Sequence, residues 1–250
     1  MRNGEPGPRG CDRGPSRPRL VQSPVVAVLD VLGKVVLLSL IFLVVIDPGW
    51  GNLEGKAPLG RALTYPMLAF AVPVWWAVRR PEGPYPWLPD LLLTYTGFSD
   101  ILGNRLDLYD QVVWFDDWMH FANTACIAAA LVLVTMHRTV SAVAVLERSV
   151  ALGMTAALGW ELWEYYSFVT HSSEAPTAYG DTIGDLVTGW LGTVAAAMLA
   201  HFAWRPHLRE QLPVGWTRPV ERIASGPVRS DTGVATSVLP DAEPDHGSRH

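Results

Sequence analysis

Three short acidic motifs stand at the ends of three apolar stretches between residues 115 and 202. Phe115-Asp116-Asp117-Trp118-Met119-His120 opens the first. Asp117 and His120 are three apart, so they share a helical face, with Thr124 one turn further on. Trp160-Glu161-Leu162-Trp163-Glu164-Tyr165 closes the second stretch with an i, i+3 acidic pair. Gly180-Asp181-Thr182-Ile183-Gly184-Asp185 opens the third with an i, i+4 acidic pair. One imidazole among several carboxylates is an oxygen-rich donor set of the kind that suits Mn, Fe, Mg or Zn. It resembles the Glu plus Glu-x-x-His ligand sets of helical bundles. A divalent ion in such a set activates water or polarises a phosphoryl or carbonyl oxygen. Asp117, His120, Glu161, Glu164, Asp181 and Asp185 are therefore the expected metal ligands, with Glu161 and Asp185 also the expected acid/base groups.

Simpler roles compete for some of these residues. Asp116, Asp117 and Asp181 stand where a helix N-cap belongs, and the macrodipole favours acids in a first turn. Neither role fits Glu161 and Glu164, which sit near a helix C-terminus, nor Asp185 and His120, about a turn inside theirs. So many carboxylates in a low-dielectric setting need a counter-charge. The outer halves of the last three stretches hold no Lys or Arg, which leaves a bound cation or shared protons.

The elements that would carry these groups are transmembrane helices. Of the 250 residues, 49% are hydrophobic and only 17% charged, and the net charge of −5 decides little by itself. The apolar residues gather into runs long enough to cross about 30 Å of hydrocarbon at about 1.5 Å per residue. The expected fold is an all-α integral membrane protein of six transmembrane helices, at 25–46, 62–78, 87–102, 118–136, 149–168 and 182–202. These make one membrane domain, 21–204, flanked by disordered tails at 1–20 and 205–250. The second helix is interrupted by Pro66 and Pro73, and the third carries Asp90 and Asp100. The first run is too long for a cleaved signal peptide and ends in Asp47-Pro48-Gly49-Trp50 without a small-x-small site.

Basic residues mark the cytoplasmic side. Arg2, Arg9, Arg13, Arg17 and Arg19 precede the first helix; Arg79 and Arg80 follow the second; Arg138 and Arg148 follow the fourth; Arg205 and Arg209 follow the sixth. The opposite loops hold only Lys56, Arg61 and Arg105, set among acids. Six spans with both termini in the cytoplasm satisfy this pattern. His120, Glu164 and Asp185 then lie about 4–6 Å below the outer ends of their helices. Motifs far apart in sequence thus reach one depth on the outer side, and Asp100 exits on that side too.

Other features read more plainly. Asp30 and Lys34, four apart in the first helix, form a self-neutralising structural pair. Gly189 and Gly192 extend the face of Asp185 and allow close helix packing. Trp114, Trp118, Trp160 and Trp163 are read as interfacial anchors, and His137, His201 and His207 as interfacial histidines. Cys11 and Cys126 make no disulfide framework. No phosphate-binding loop, dinucleotide fingerprint or nucleic-acid motif is present, so no nucleic-acid partner is expected.

Asp117-x-x-His120, Trp160-Glu161-x-x-Glu164 and Asp181-Thr182-x-x-Asp185-Leu186 with glycines after it resemble the YjdF-like family of uncharacterised bacterial inner-membrane proteins, over residues 87–202. More loosely, the same order is similar to the VanZ-like membrane proteins, associated with glycopeptide resistance. Residues 99–110 depart from the first family's pattern: Gly103 and Tyr109 are kept, but the His- and Tyr-rich segment is not. The resemblance implies a multi-pass protein of the bacterial inner membrane. The expected function is a metal-dependent site facing outward, hydrolytic toward a lipid-linked or envelope substrate. The alternatives are a proton- or ion-coupled transporter and a non-catalytic membrane binding or assembly protein.

Overall fold

On the first helix, α1 (Pro24–Ile46), the buried residues Val26, Asp30, Lys34, Leu37, Ile41 and Val44 recur every three or four positions along one face. The other faces expose Val28, Leu32, Val35, Phe42 and Ile46. A helix that buries one stripe and leaves large aliphatic side chains outside it is solvated by lipid, not water. The computed structural model describes residues 23–81, 84–136, 140–167, 169–171 and 176–204. The tails expected to be disordered lie outside these residues, as do Cys11, His137, Arg138 and His207.

The described chain is all-helical. After α1 come α2 (Pro58–Ala69), α3 (Ala71–Arg79), α4 (Trp87–Arg105), the one-turn α5 (Leu108–Gln111), α6 (Phe115–Thr135), α7 (Ala142–Ser167) and α8 (Ala178–Met198), which runs on through a π-helical turn to Ala203. All of it belongs to one compact unit. Among the described residues, four helices are long and apolar enough to cross a membrane: α1, α6, α7 and α8 with its π-helical extension.

The two other expected spans take different forms. The segment 62–78 is the pair α2 and α3, which meet at Phe70. Pro73 has no N–H to give Ala69 and its ring crowds that carbonyl, so the helix breaks there. The chain nonetheless continues as a bent rod, because Phe70 N–H donates to Pro66 O (2.9 Å) and Val74 N–H to Phe70 O (3.0 Å). The segment 87–102 is the unbroken helix α4, in which Leu88, Leu93 and Ile101 are buried beside Asp90, Thr94, Thr96, Ser99, Asp100 and Asn104. It packs against α1, α2 and α6, so its polar groups meet protein on most sides. α7 begins seven residues before the expected 149, because Ser141 Oγ accepts from Ala144 N–H (3.2 Å) and starts the helix there.

α8 lies closest to α6 and α7. At Gly192 an added Cβ would overlap Phe121 O and stand 3.1 Å from Ala125 N, so α6 and α8 touch backbone to backbone. Ser149 Oγ donates to Thr193 O (2.7 Å), pinning α7 to α8. This tight three-helix unit brings the three acidic motifs together.

Candidate carboxylate–histidine site

His120 stands in the second turn of α6, and its two ring edges meet acids from different helices. Nδ1 lies 3.4 Å from Glu161 Oε1 on α7. Nε2 lies 3.5 Å from Asp116 Oδ1, one turn back on α6, and 3.6 Å from Asp185 Oδ1 on α8. Glu161 and Asp185 are only 6% and 5% exposed, so their contacts are interior, whereas the Asp116 side chain is 44% exposed. Glu161 Oε1 is buried without a hydrogen-bond partner. One oxygen of Glu164 joins the Glu161 side: ligand atoms of His120, Glu161 and Glu164 all lie within 4.8 Å of one another, as do those of Asp116, His120 and Asp185.

All three nitrogen–oxygen separations are longer than the usual N–H···O hydrogen bond of about 2.9 Å. Two ligands at about 2.1 Å from a tetrahedral ion are about 3.4 Å apart. At each ring edge the donors are therefore spaced as ligands that share an ion, and their chemistry of one imidazole with carboxylates suits a hard or borderline divalent cation.

Of the six expected ligands, His120, Glu161, Glu164 and Asp185 come together in this cluster. Asp181 lines the adjoining cavity from the first turn of α8. Asp117 is exposed and turns toward α8, 3.9 Å from where a Cβ on Gly184 would stand. Its neighbour Asp116 takes the place beside His120. The N-caps of α6 and α8 are Trp114 and Thr177, neither with a side-chain cap bond, so the three N-terminal acids lie inside the first turns and do not cap them.

The cavity measures ≈ 580 Å³, a size typical of small-molecule sites. Asp116, His120, Glu164 and Asp181 line it. The cavity is also lined by a second polar network, built by α2, α4 and α5 around Asp100. Arg61 Nη1 donates to Asp100 Oδ2 (2.6 Å) and to the Tyr65 hydroxyl (2.8 Å). Tyr65 OH donates to Asp100 Oδ2 (2.5 Å), and Tyr109 OH donates to Asp100 Oδ1 (2.8 Å). Burial, helped by Asp100, pushes the Tyr109 phenol well above the usual tyrosine range, which keeps it a donor.

This network went unseen in the sequence. Arg61 reads there as an outer-loop charge, but it is buried at 4% exposure. Its guanidinium carbon stands 5.4 Å from the Trp160 ring and 5.7 Å from Trp163. Trp160 also stacks on Tyr65 at 6.1 Å. Trp114 and Trp118 are exposed, as anchors should be, whereas Trp160 and Trp163 are half-buried and line the cavity.

A third cluster lies nearer the other end of α4. Lys34 on α1 bonds Asp30, as its spacing suggests, and also meets Asp90 Oδ1 at 2.8 Å. Thr94 Oγ1 accepts from Lys34 (2.8 Å), and Tyr85 OH donates to Asp90 Oδ2 (2.6 Å). Two carboxylates thus share one ammonium, and the pair does not neutralise itself alone.

A family model described as "Predicted membrane protein (DUF2238)" matches residues 31–206. That match spans the three acidic motifs and the Arg61–Asp100 network. No curated protein and no solved structure matches the chain.

Proposed function

The chain belongs to the DUF2238 family of predicted membrane proteins, which is the YjdF-like family, and from that premise we propose a metal-dependent hydrolytic site at the outer face of a bacterial inner membrane. Six spans carry it, with α2–α3 and α4 as the second and third, both termini cytoplasmic, and the remaining residues as tails outside the 21–204 domain. The basic residues support this orientation: Arg79 and Arg80 end α3 and Arg148 lies near the start of α7. His120, Glu161, Glu164 and Asp185 fall about 5–10 Å inside the ends of their helices on the opposite side.

One observation carries the reading: acids from α6, α7 and α8 converge on both edges of a single histidine, at ligand-like separations, beside a cavity of ≈ 580 Å³. His120 would hold a divalent cation with Asp116 and Asp185 at one ring edge or with Glu161 and Glu164 at the other, with Asp181 and Asp117 at the rim. A divalent ion held there would supply Lewis acidity to a phosphoryl or carbonyl oxygen of a lipid-linked or envelope substrate. The protein's own groups do the rest. Glu161 and Asp185 remain the acid/base groups of this reading, and Glu164, which lines the cavity, is a further carboxylate able to take a proton from an entering water. Asp100, Tyr65 and Tyr109 hold Arg61 rigid in the cavity lining. Trp160 and Trp163 keep apolar surface against its guanidinium and exclude water from that side.

Metal analysis of the full chain purified in detergent, beside an alanine series at these positions, tests the reading. Stoichiometric metal in wild type that falls in His120→Ala and Asp185→Ala is expected. Wild type without stoichiometric metal would overturn it.

A second reading, a proton- or ion-coupled transporter, is favoured by one feature. α4 bears Asp100 in the outer network and Asp90 in the Lys34 network ten residues away, about 15 Å along the helix. Ion flux in proteoliposomes that is abolished by Glu161→Gln supports transport. Flux indistinguishable from empty vesicles removes it.

A further inference from the structure

We infer that the site takes two divalent cations, one at each edge of the His120 ring, with the imidazole bridging them. The inference deepens the metal-dependent reading above and rests on it.

The two nitrogens of an imidazole point away from each other, so one ion cannot bind both. Yet both edges are furnished alike. At Nε2, Asp116 and Asp185 each present an oxygen, at 3.5 and 3.6 Å. At Nδ1, Glu161 presents one at 3.4 Å, and an oxygen of Glu164 lies within 4.8 Å of ligand atoms of both Glu161 and His120. A single-ion site would use one edge and give the other nitrogen a hydrogen-bonded carboxylate that orients the ring. Such a bond would be near 2.9 Å, about the usual length. Here neither edge shows one. Instead Glu161 Oε1, on a residue 6% exposed, is aimed at Nδ1 and has no hydrogen-bond partner.

Charge points the same way. Asp100 is held by Arg61 and two tyrosines, which leaves Asp116, Asp185, Glu161 and Glu164 as the acids around His120. One divalent ion offsets two of these four carboxylates; two ions offset four of the five negative charges present once the ring is deprotonated. Glu161 and Asp185 are buried, and buried charge left without compensation is costly, several kcal/mol per ion on an order-of-magnitude scale, whereas the Asp116 side chain is 44% exposed and stays partly solvated. A second ion at the other nitrogen would require the remaining ring N–H bond to break, its proton passing to solvent and its electron pair staying on the ring as the donor to that ion.

Mn2+ is the probe. The full chain in detergent, stripped with chelator and reloaded with Mn2+, should retain two ions per chain after desalting. Its electron paramagnetic resonance spectrum should be broadened by spin–spin interaction between them. Asp116→Asn/Asp185→Asn and Glu161→Gln/Glu164→Gln should each lower the stoichiometry from two to one and restore the sharp six-line spectrum of an isolated ion. If either double variant fails to fold, the wild-type stoichiometry and spectrum decide the matter without it. One ion per chain with an unbroadened spectrum overturns the two-ion site and leaves the metal-dependent reading standing. No retained ion overturns both.

Discussion

Arg61 of α2 and Asp100 of α4, thirty-nine residues apart, meet at 2.6 Å in the lining of the cavity that His120 also lines. The pair is buried, and both partners are also bonded by tyrosine: Tyr65 touches each, and Tyr109 reaches Asp100. It ties the amino-terminal helices to the three-helix unit through Trp160 and Trp163, which flank the guanidinium.

Removing one charge of this pair leaves the other uncompensated in the interior. Arg61→Met is expected to cost about 3–5 kcal/mol, read as a lower thermal unfolding midpoint in detergent. Arg61→Met with Asp100→Asn should recover most of that loss. A double variant as unstable as the single would show that packing, not charge, makes the contact matter.

Gly192 tests the closeness of α6 and α8. An alanine there would press into Phe121 O, a backbone atom that cannot rotate aside. Overpacking of this kind costs about 1–3 kcal/mol, so Gly192→Ala should lower the unfolding midpoint and, by spreading the helices, weaken Mn2+ binding as well. Gly159→Ala is the control: no atom lies within 4 Å of its added Cβ, so stability should hold.

The sequence showed which helices would exist better than which side chains would meet. α1, α6 and α8 follow from uninterrupted apolar runs, and the acidic motifs locate the candidate site because ionisable groups stand out against such runs. Asp116 and Asp117 are one residue apart, and each shares a face with His120, at i, i+4 and i, i+3. Spacing cannot choose between them; the position of α8 does, drawing Asp117 toward Gly184. Arg61 is hidden for another reason. It precedes an apolar run, so it counts as a loop charge until α4 is folded beside it, and its contact with Asp100 is purely tertiary. Asp30 and Lys34 were legible as a pair because they are local, whereas Asp90 was not.

That choice between neighbouring aspartates is measurable. Asp116→Asn should weaken Mn2+ binding about tenfold or more, in the range seen when groups around a metal site are removed. Asp117→Asn, with its carboxylate exposed on the α8 side, should change it by less than about threefold, a difference under 1 kcal/mol. Isothermal titration of both variants separates the two positions. The reverse order would assign the ligand to Asp117.

Six spans and four spans differ in where one loop lies. With Cys11 and Cys126 replaced by Ser, single cysteines at Glu54, Arg79 and Val113 report the side of each exposed position. Six spans predict that Glu54→Cys and Val113→Cys react with an impermeant maleimide in intact cells, and that Arg79→Cys reacts only after lysis. If Arg79→Cys and Val113→Cys react alike, α4 does not cross. If all three results are inverted, the site faces the cytoplasm.

Lys34 offers the clearest test of the cluster where α1 meets α4. Its ammonium is the one cation contacting both Asp30 and Asp90 among the described residues, and all three are nearly fully buried. Thr94 and Tyr85 add hydroxyl donors but no charge. Lys34→Met therefore leaves two carboxylates side by side with no counter-ion, and should cost about 3–5 kcal/mol or more. Asp30→Asn alone removes the surplus negative charge and should be tolerated far better, since Lys34 and Asp90 remain a matched pair. The triple variant Lys34→Met/Asp30→Asn/Asp90→Asn should regain much of the stability lost in Lys34→Met. Unfolding midpoints decide between a structural clamp and a transport element only when read with flux. A triple variant that is stable but has lost ion flux in proteoliposomes would assign the cluster to transport, and one that is stable with unchanged membrane function would leave it a clamp between α1 and α4.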